Sequence, residues 1–181
     1  MINEFSVHPK PTNNKAKIVF FITMIVGLAV SLVSCFLPIY KGLVGLVGLL
    51  LIVTALLFYT KYIAIEFYYD IVKDDNGLPL LIVRQTTGKR TTTLCRIELA
   101  DITKVETESA AERRAHKTER GVLKYNYTPT LSPSEVHRIT VINRYERAEI
   151  VIEGSRELAD MLRTYSDEAR KMRKIVEENE Y

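Results

Sequence analysis

The chain has 181 residues, of which 47% are hydrophobic, a length that allows about one domain and a membrane anchor. Its formal net charge is +3, and the whole surplus lies before residue 60, because residues 61–181 carry equal numbers of basic and acidic side chains. A basic surplus that flanks an apolar segment indicates membrane topology rather than binding of nucleic acid. With only two cysteines, Cys35 and Cys95, the sequence has neither a disulfide framework nor a cysteine metal motif.

Two apolar stretches dominate the first third of the chain. Residues 18–37 and 43–60 contain no charged side chain. At ~1.5 Å per residue, each stretch approaches or reaches the roughly 30 Å thickness of the hydrocarbon core of a bilayer. Pro38 and Gly42 lie between them and are typical of a helix end and a helix start. Residues 18–60 are therefore predicted to form a transmembrane helical hairpin.

Lysine residues indicate how the hairpin is oriented. Lys10, Lys15 and Lys17 precede the first apolar stretch and Lys61 follows the second, whereas the connecting loop carries Lys41 alone. Because basic residues favour the cytoplasmic ends of membrane helices, both chain termini are predicted to lie in the cytoplasm. The chain is then a multi-pass protein of the cell membrane with a cytoplasmic tail at residues 1–17, and the lipid bilayer is its first expected partner.

Small residues recur on one face of each apolar stretch. They are Gly27, Ser31 and Ser34 in the first stretch, and Gly45, Gly48 and Ala55 in the second. In lipid, helices associate where small residues allow their backbones to approach closely. These faces are expected to pack against each other within the hairpin, and homo-oligomerisation through them is the alternative.

A second interpretation applies to residues 32–35, whose sequence LVSC resembles the lipobox of a bacterial lipoprotein signal. Cleavage there would leave Cys35 lipidated at a new N-terminus and place the following domain outside the cytoplasm. A further apolar stretch follows directly and would make the lipid redundant, so the hairpin is the preferred prediction.

Short segments with strand character follow the hairpin. In the first of them Phe67, Tyr69 and Ile71 alternate with more polar residues, which is typical of a half-buried strand. Turn residues such as Asn76-Gly77 separate the segments, and the first three are expected to form a meander. The predicted strands cover residues 62–72, 78–86, 91–99, 102–107, 122–127, 136–144 and 148–153.

The last segment has the pattern of an amphipathic helix. Leu158, Leu162, Tyr165 and Ala169 are separated by four, three and four residues, which places them on one face. A helix is therefore predicted over 155–177. Together with the strands it makes residues 62–181 a soluble, mostly β domain.

This layout resembles the membrane-anchored bacterial PH-domain-like proteins of unknown function. The resemblance is carried by YYDIVKDDNGLPLLIVRQTTGKR, by HRITVINRYERAEIVIEG and by the helix that begins SRELADMLRTY. It implies a membrane-anchored α+β fold, in which a hairpin precedes a PH-like barrel or open sandwich closed by the C-terminal helix. It also implies an interaction module at the cytoplasmic face of the bacterial inner membrane, and it supplies no catalytic residues.

No motif of enzyme chemistry stands out. The sequence contains no phosphate-binding loop, dinucleotide fingerprint or His-Glu metal motif. We expect His8 in the tail, His116 in a polar loop and His137 on a strand surface, and we expect Cys95 in a structural role. The chain is therefore predicted to be non-enzymatic, with no catalytic residue, cofactor or metal ligand.

Two basic clusters are candidates for contact with a lipid or a partner. The first contains Arg113, Arg114, Lys117, Arg120 and Lys124, and the second contains Arg170, Lys171, Arg173 and Lys174. Near an anionic membrane each basic residue contributes roughly 1 kcal/mol to binding. A solvated loop and an ordinary helix C-terminus explain the same residues. Asp74 and Asp75, in the first turn after the hairpin, disfavour a specific inositol phosphate pocket.

The predicted function follows from this organisation. The chain is expected to be a scaffold or accessory subunit that binds a membrane or cytosolic protein. The alternative is a sensor whose soluble domain binds a ligand or lipid and changes the association of the hairpin.

Overall fold

The computed structural model describes residues 5–37, 40–74, 77–117, 119–143 and 146–179. The chain divides into two compact units. One unit is Pro11–Ile65, and the other joins the segments Met1–Lys10 and Glu66–Tyr181.

The first unit is a hairpin of two apolar helices. Helix α1 spans Lys15–Ser34, and helix α2 spans Lys41–Phe58 and continues as a π-helix over Tyr59–Ile63. Both helices are long and apolar enough to cross a membrane. They begin two or three residues before the predicted apolar stretches, because a polar first turn can remain helical at the end of an apolar helix. Gly42 accordingly lies inside α2 rather than in the connecting loop.

The first sheet of the second unit contains four strands in the order β1-β2-β3-β4. The strands are β1 Phe5–Val7, β2 Ile65–Lys73, β3 Pro79–Thr87 and β4 Arg90–Glu98. Strands β2 to β4 are neighbours in chain order, as predicted for the meander. Strand β1 is antiparallel to β2, so residues 5–7 are part of a sheet and not of an unstructured tail.

The second sheet also contains four strands, in the order β5-β7-β8-β6. The strands are β5 Ile102–Ser109, β6 Leu123–Asn126, β7 Glu135–Ile142 and β8 Arg147–Ile152. Helix α3, Ala110–Ala115, follows β5, and helix α4, Arg156–Asn179, follows β8. Strand β6 is parallel to β8, whereas β5 and β8 are each antiparallel to β7.

The fold is thus α+β with two separate sheets. In the described residues the hydrogen-bonded strands do not close into a barrel, so the closed form of the predicted PH-like domain is wrong. The hydroxyl of Tyr69, on β2, donates to the carbonyl of Tyr127 at 2.7 Å and accepts from the amide of Glu153 at 3.4 Å. Buried Tyr69 therefore links the first sheet to the chain around the second. Leu158 and Leu162 of α4 are also fully buried.

Two further expectations need correction. Helix α3 lies in a segment that the sequence suggested to be a polar loop. Ser109 and Glu112 form a complete capping box at its start, which explains why so short a helix forms. His137 is fully buried, not on a strand surface, and its ring nitrogens contact the Thr107 hydroxyl at 3.0 Å and the Gly154 carbonyl at 3.1 Å.

Candidate functional site

The first basic cluster lies on the chain between β5 and β6, the two edge strands of the second sheet, and on β6 itself. Arg113 and Arg114 lie on α3, Lys117 follows the helix, Arg120 lies in a turn, and Lys124 is on edge strand β6. Arg113 is half-buried and the other four are exposed. In the part of the chain that the structure describes, these five side chains form no ion pair or hydrogen bond. We call residues 113–124 the basic segment.

The acidic residues Glu119, within the basic segment, and Glu112, directly before it, already have hydrogen-bond partners. Glu119 accepts a hydrogen bond from Arg147 at 2.7 Å. The carboxylate of Glu112 accepts from the amide of Ser109 at 2.7 Å, and this hydrogen bond lowers the pKa of Glu112. Among the described residues, no acidic side chain forms an ion pair with the five cations of the segment, although the charge of Lys124 helps to lower the pKa of Glu108.

A buried ionic cluster in the second sheet contacts the basic segment through His116. Arg138, 1% exposed, donates to both carboxylate oxygens of Glu108, at 2.6 and 2.7 Å, and to Glu149 at 2.6 Å. His116 completes the cluster, with its ring nitrogens 3.5 Å from Glu108 and 3.3 Å from Glu149. The hydrogen bonds from Arg138 hold the pKa of Glu108 below its usual value, against the effect of burial.

This ionic cluster positions the basic segment. His116 directly follows α3, and it contacts residues of β5 and β8. The start of the segment is thereby attached to the sheet at a defined point. Sequence reasoning missed the cluster, because a charged residue in the middle of a strand normally faces solvent.

The second basic cluster differs because half of it is paired. Arg170 binds Asp167 at 2.6 Å, and Arg173 binds Asp101 at 2.8 Å and Glu98. Only Lys171 and Lys174 are exposed without an ion pair in the described residues. Arg173 therefore joins α4 to the chain at Glu98 and Asp101, and Arg170 forms an ion pair within α4. The second cluster thus has fewer unpaired cations than the basic segment.

The small residues of the hairpin lie between α1 and α2. Gly27, Ser34, Gly48 and Ala55 are buried, whereas Ser31 and Gly45 are half-buried. A Cβ atom at Gly48 would lie 2.9 Å from the amide nitrogen of Ser31 and 3.1 Å from the Gly27 carbonyl oxygen. The structure thus brings these residues together within one hairpin.

The remaining candidates have structural surroundings. Burial raises the pKa of the Cys95 thiol, although a hydrogen bond with Tyr127 acts in the opposite direction. The carboxylate of Asp74 accepts from the amide of Leu78 at 2.6 Å and so closes the β2–β3 turn. Asp75 lies outside the described residues.

Comparison of the sequence with protein-family models and with curated proteins finds no match. The resemblance to PH-domain-like proteins therefore stays a prediction. Within the described ranges, no group of three or more His, Cys, Asp or Glu residues is arranged to hold a metal ion.

Proposed function

We propose that the chain is a non-catalytic, membrane-tethered interaction module, a scaffold or accessory subunit, at the cytoplasmic face of a bacterial inner membrane. The exposed surface of the hairpin is the observation that carries this proposal. Apart from their mutual contact, α1 and α2 expose large apolar side chains such as Phe21, Leu32, Leu43 and Leu57, each more than half exposed. Leaving such surface in water costs about 25 cal/mol per Å², so a bilayer is its favourable environment.

The pairing of β1 with β2 supports a hairpin that crosses the membrane twice. Strand β1 precedes the hairpin and β2 follows it, yet they are antiparallel neighbours in one sheet. Chain segments on either side of a single crossing would lie on opposite sides of the membrane and could not pair. The same pairing disfavours lipobox cleavage, because cutting before Cys35 would separate β1 from the rest of the chain.

The basic segment is the proposed contact surface. Its five unpaired cations suit a partner protein that presents acidic side chains close to the membrane. Tethering to the membrane raises the effective concentration of a weak site toward the millimolar range, so a modest interface is sufficient. Anionic lipid in the inner leaflet is the competing occupant, because it would be attracted by the same charges.

The sensor hypothesis has less support. It requires small-residue faces that can switch between the hairpin and a second copy. Gly27 and Gly48 are already enclosed between α1 and α2, so a second copy could reach them only if the hairpin opened.

Topology is tested by labelling single cysteines in intact cells. Lys89 and Lys171 are exposed and suit replacement by cysteine, in a chain that also carries Cys35→Ala and Cys95→Ala. A membrane-impermeant maleimide should label both positions only after the cells are permeabilised. Labelling of intact cells would place the domain outside the cytoplasm and reject the proposed location.

The contact surface is tested by carbodiimide cross-linking in native membranes, which joins lysine amines to nearby carboxylates. We expect a discrete adduct with one partner protein, formed through Lys117 or Lys124. Reversing three charges with Arg113→Glu, Arg114→Glu and Lys117→Glu should abolish the adduct. The matched control is Lys171→Glu together with Lys174→Glu, which should leave it unchanged. Equal loss in both variants, or no discrete adduct, would contradict the proposal.

A further inference from the structure

A shallow cavity of about 600 Å³ lies on the face of the first sheet that carries Asp70. Its volume is within the ~300–1,000 Å³ range of small-molecule sites. All four strands contribute to it. The lining residues are Phe5 and Ser6 of β1, Asp70 and Val72 of β2, Ile82 and Arg84 of β3, and Thr93 and Arg96 of β4.

A β-bulge in β4 shapes this cavity. Ile82 pairs with Arg96 and Arg84 pairs with Thr93, so Leu94 is one extra residue on the β4 side. In a regular strand, residues three apart point to opposite faces. The bulge places Thr93 and Arg96 on the same face, which is a recognised way of redirecting a side chain toward a site.

The polar side of the cavity offers mainly hydrogen-bond donors. Asp70 is only 4% exposed, and its two oxygens accept from Ser6 and from the Nε atom of Arg84. This pairing fixes the Arg84 guanidinium but uses one of its nitrogens, and no described residue accepts a hydrogen bond from the other two. Arg96 and the hydroxyl of Thr93 are likewise without a hydrogen-bond partner among the described residues.

The net charge of the cavity lining and its apolar surface determine which class of ligand it suits. Two guanidinium groups face one carboxylate, which leaves a positive surplus. Val72 and Ile82 supply an apolar surface beside them. Guanidinium groups bind carboxylate and phosphate through paired hydrogen bonds of fixed geometry.

We propose that this cavity binds a small organic anion, a carboxylate or phosphate group joined to a short apolar body. The anionic group is held by Arg96, Thr93 and the terminal nitrogens of Arg84. The apolar body lies on Val72 and Ile82. This site lies on the first sheet and does not involve the basic segment, so it stands independently of the proposed protein contact.

The test is a titration of the full chain, in zwitterionic detergent micelles, with butanoate and with butyl phosphate. Binding is monitored by the NMR signals of the arginine side chains. We expect saturable binding of at least one anion. Arg96→Gln should weaken it by about tenfold, the effect of losing a charge-assisted hydrogen-bonding group. The matched control is Arg90→Gln on the same strand, which lies outside the cavity and should bind as the unaltered chain does.

Further probes separate the contributions to binding. Butanol lacks the charge and inorganic phosphate lacks the apolar body, so each should bind more weakly than butyl phosphate. If phosphatidylglycerol competes with the bound anion, the natural ligand is a lipid headgroup. If phosphatidylglycerol does not compete, the natural ligand is a soluble metabolite. No saturable binding of either anion, equal binding of butanol, or an unchanged affinity in Arg96→Gln would overturn the proposal.

Discussion

At the scale of single residues, Arg138 determines how the second sheet accommodates charge in its interior. Its side chain is almost fully buried and binds two carboxylates, Glu108 on β5 and Glu149 on β8. Removing one partner from such a group leaves a charge without compensation, which costs far more than the intact pair contributes. The chain thus depends on Arg138 for the arrangement of three adjacent strands.

Replacing Arg138 should therefore be strongly destabilising. We expect Arg138→Met to lower the free energy of unfolding by about 3–5 kcal/mol, because Glu108 and Glu149 would then face each other without the guanidinium. The control is Arg147→Met, whose partner Glu119 is exposed, and which should cost about 0–1 kcal/mol. Denaturant unfolding of the full chain in detergent, followed by circular dichroism, measures both. Similar losses in the two variants would contradict this role of Arg138.

The same cluster predicts how stability depends on pH. Hydrogen bonds from Arg138 lower the pKa of Glu108 in the folded chain. Its contribution is then complete above the unfolded-state pKa of about 4.3, and it is lost as the pH falls through the lower folded-state value. The chain should exceed Glu108→Gln in melting temperature at pH 7, and the difference should shrink as the pH falls toward 3. A difference in melting temperature that grows on acidification would contradict this prediction. When both chains also carry Arg138→Met, the difference should depend less on pH.

At the scale of elements, close backbone contact is what joins α1 and α2. Gly27 and Gly48 face each other across the hairpin, and an added Cβ atom at either position would meet backbone atoms at about 3 Å. Backbone atoms cannot move aside as a flexible side chain can. The backbones of the two helices can therefore approach closely at this point only because both residues are glycines.

Gly48→Ala should separate the helices. The new methyl group would lie 2.9 Å from the Ser31 amide nitrogen, and such overpacking costs typically ~1–3 kcal/mol. Gly42→Ala is the control, because nothing lies within 4 Å of a Cβ atom there. Thermal unfolding in detergent should show a loss for the first variant alone. Light scattering should show an unchanged oligomeric state, and a change in that state would favour the sensor hypothesis.

The elements also indicate where sequence reasoning succeeds. Helix α4 follows from its helical period, and the period of two is visible in the burial of β3. Strands β4 and β6 are almost entirely exposed, so their prediction rests on β-forming residues and turn signals instead. Helix α3 was missed although its capping box, Ser109 to Glu112, is legible in the sequence. Strand β1 has only three residues, too few for a periodic signal, and its partner lies beyond the hairpin. Likewise, Arg84 and Asp70 become neighbours only through the sheet, so the cavity was not predictable from spacing.

At the scale of the whole molecule, the hairpin is an insertion between two adjacent strands. The chain leaves the second unit after Lys10 and returns to it at Glu66. Phe5, Ser6 and Val7 pair with Ile71, Asp70 and Tyr69 respectively. Strand β1 is thus a structural part of the domain, and it covers an edge of β2 that would otherwise present unpaired backbone groups.

Deleting residues 5–7 should therefore expose the edge of β2. We expect faster hydrogen exchange of those amides between Tyr69 and Ile71 that face β1, because their hydrogen-bond acceptors would be lost. The deletion also removes Phe5 and Ser6 from the cavity, so binding of butyl phosphate should weaken. Deleting residues 11–13, which lie outside the strands, is the matched control and should leave exchange in β2 unchanged. If β2 exchanges at the same rate with and without β1, the N-terminal strand does not contribute to the stability of the sheet, and the pairing no longer supports a double crossing of the membrane.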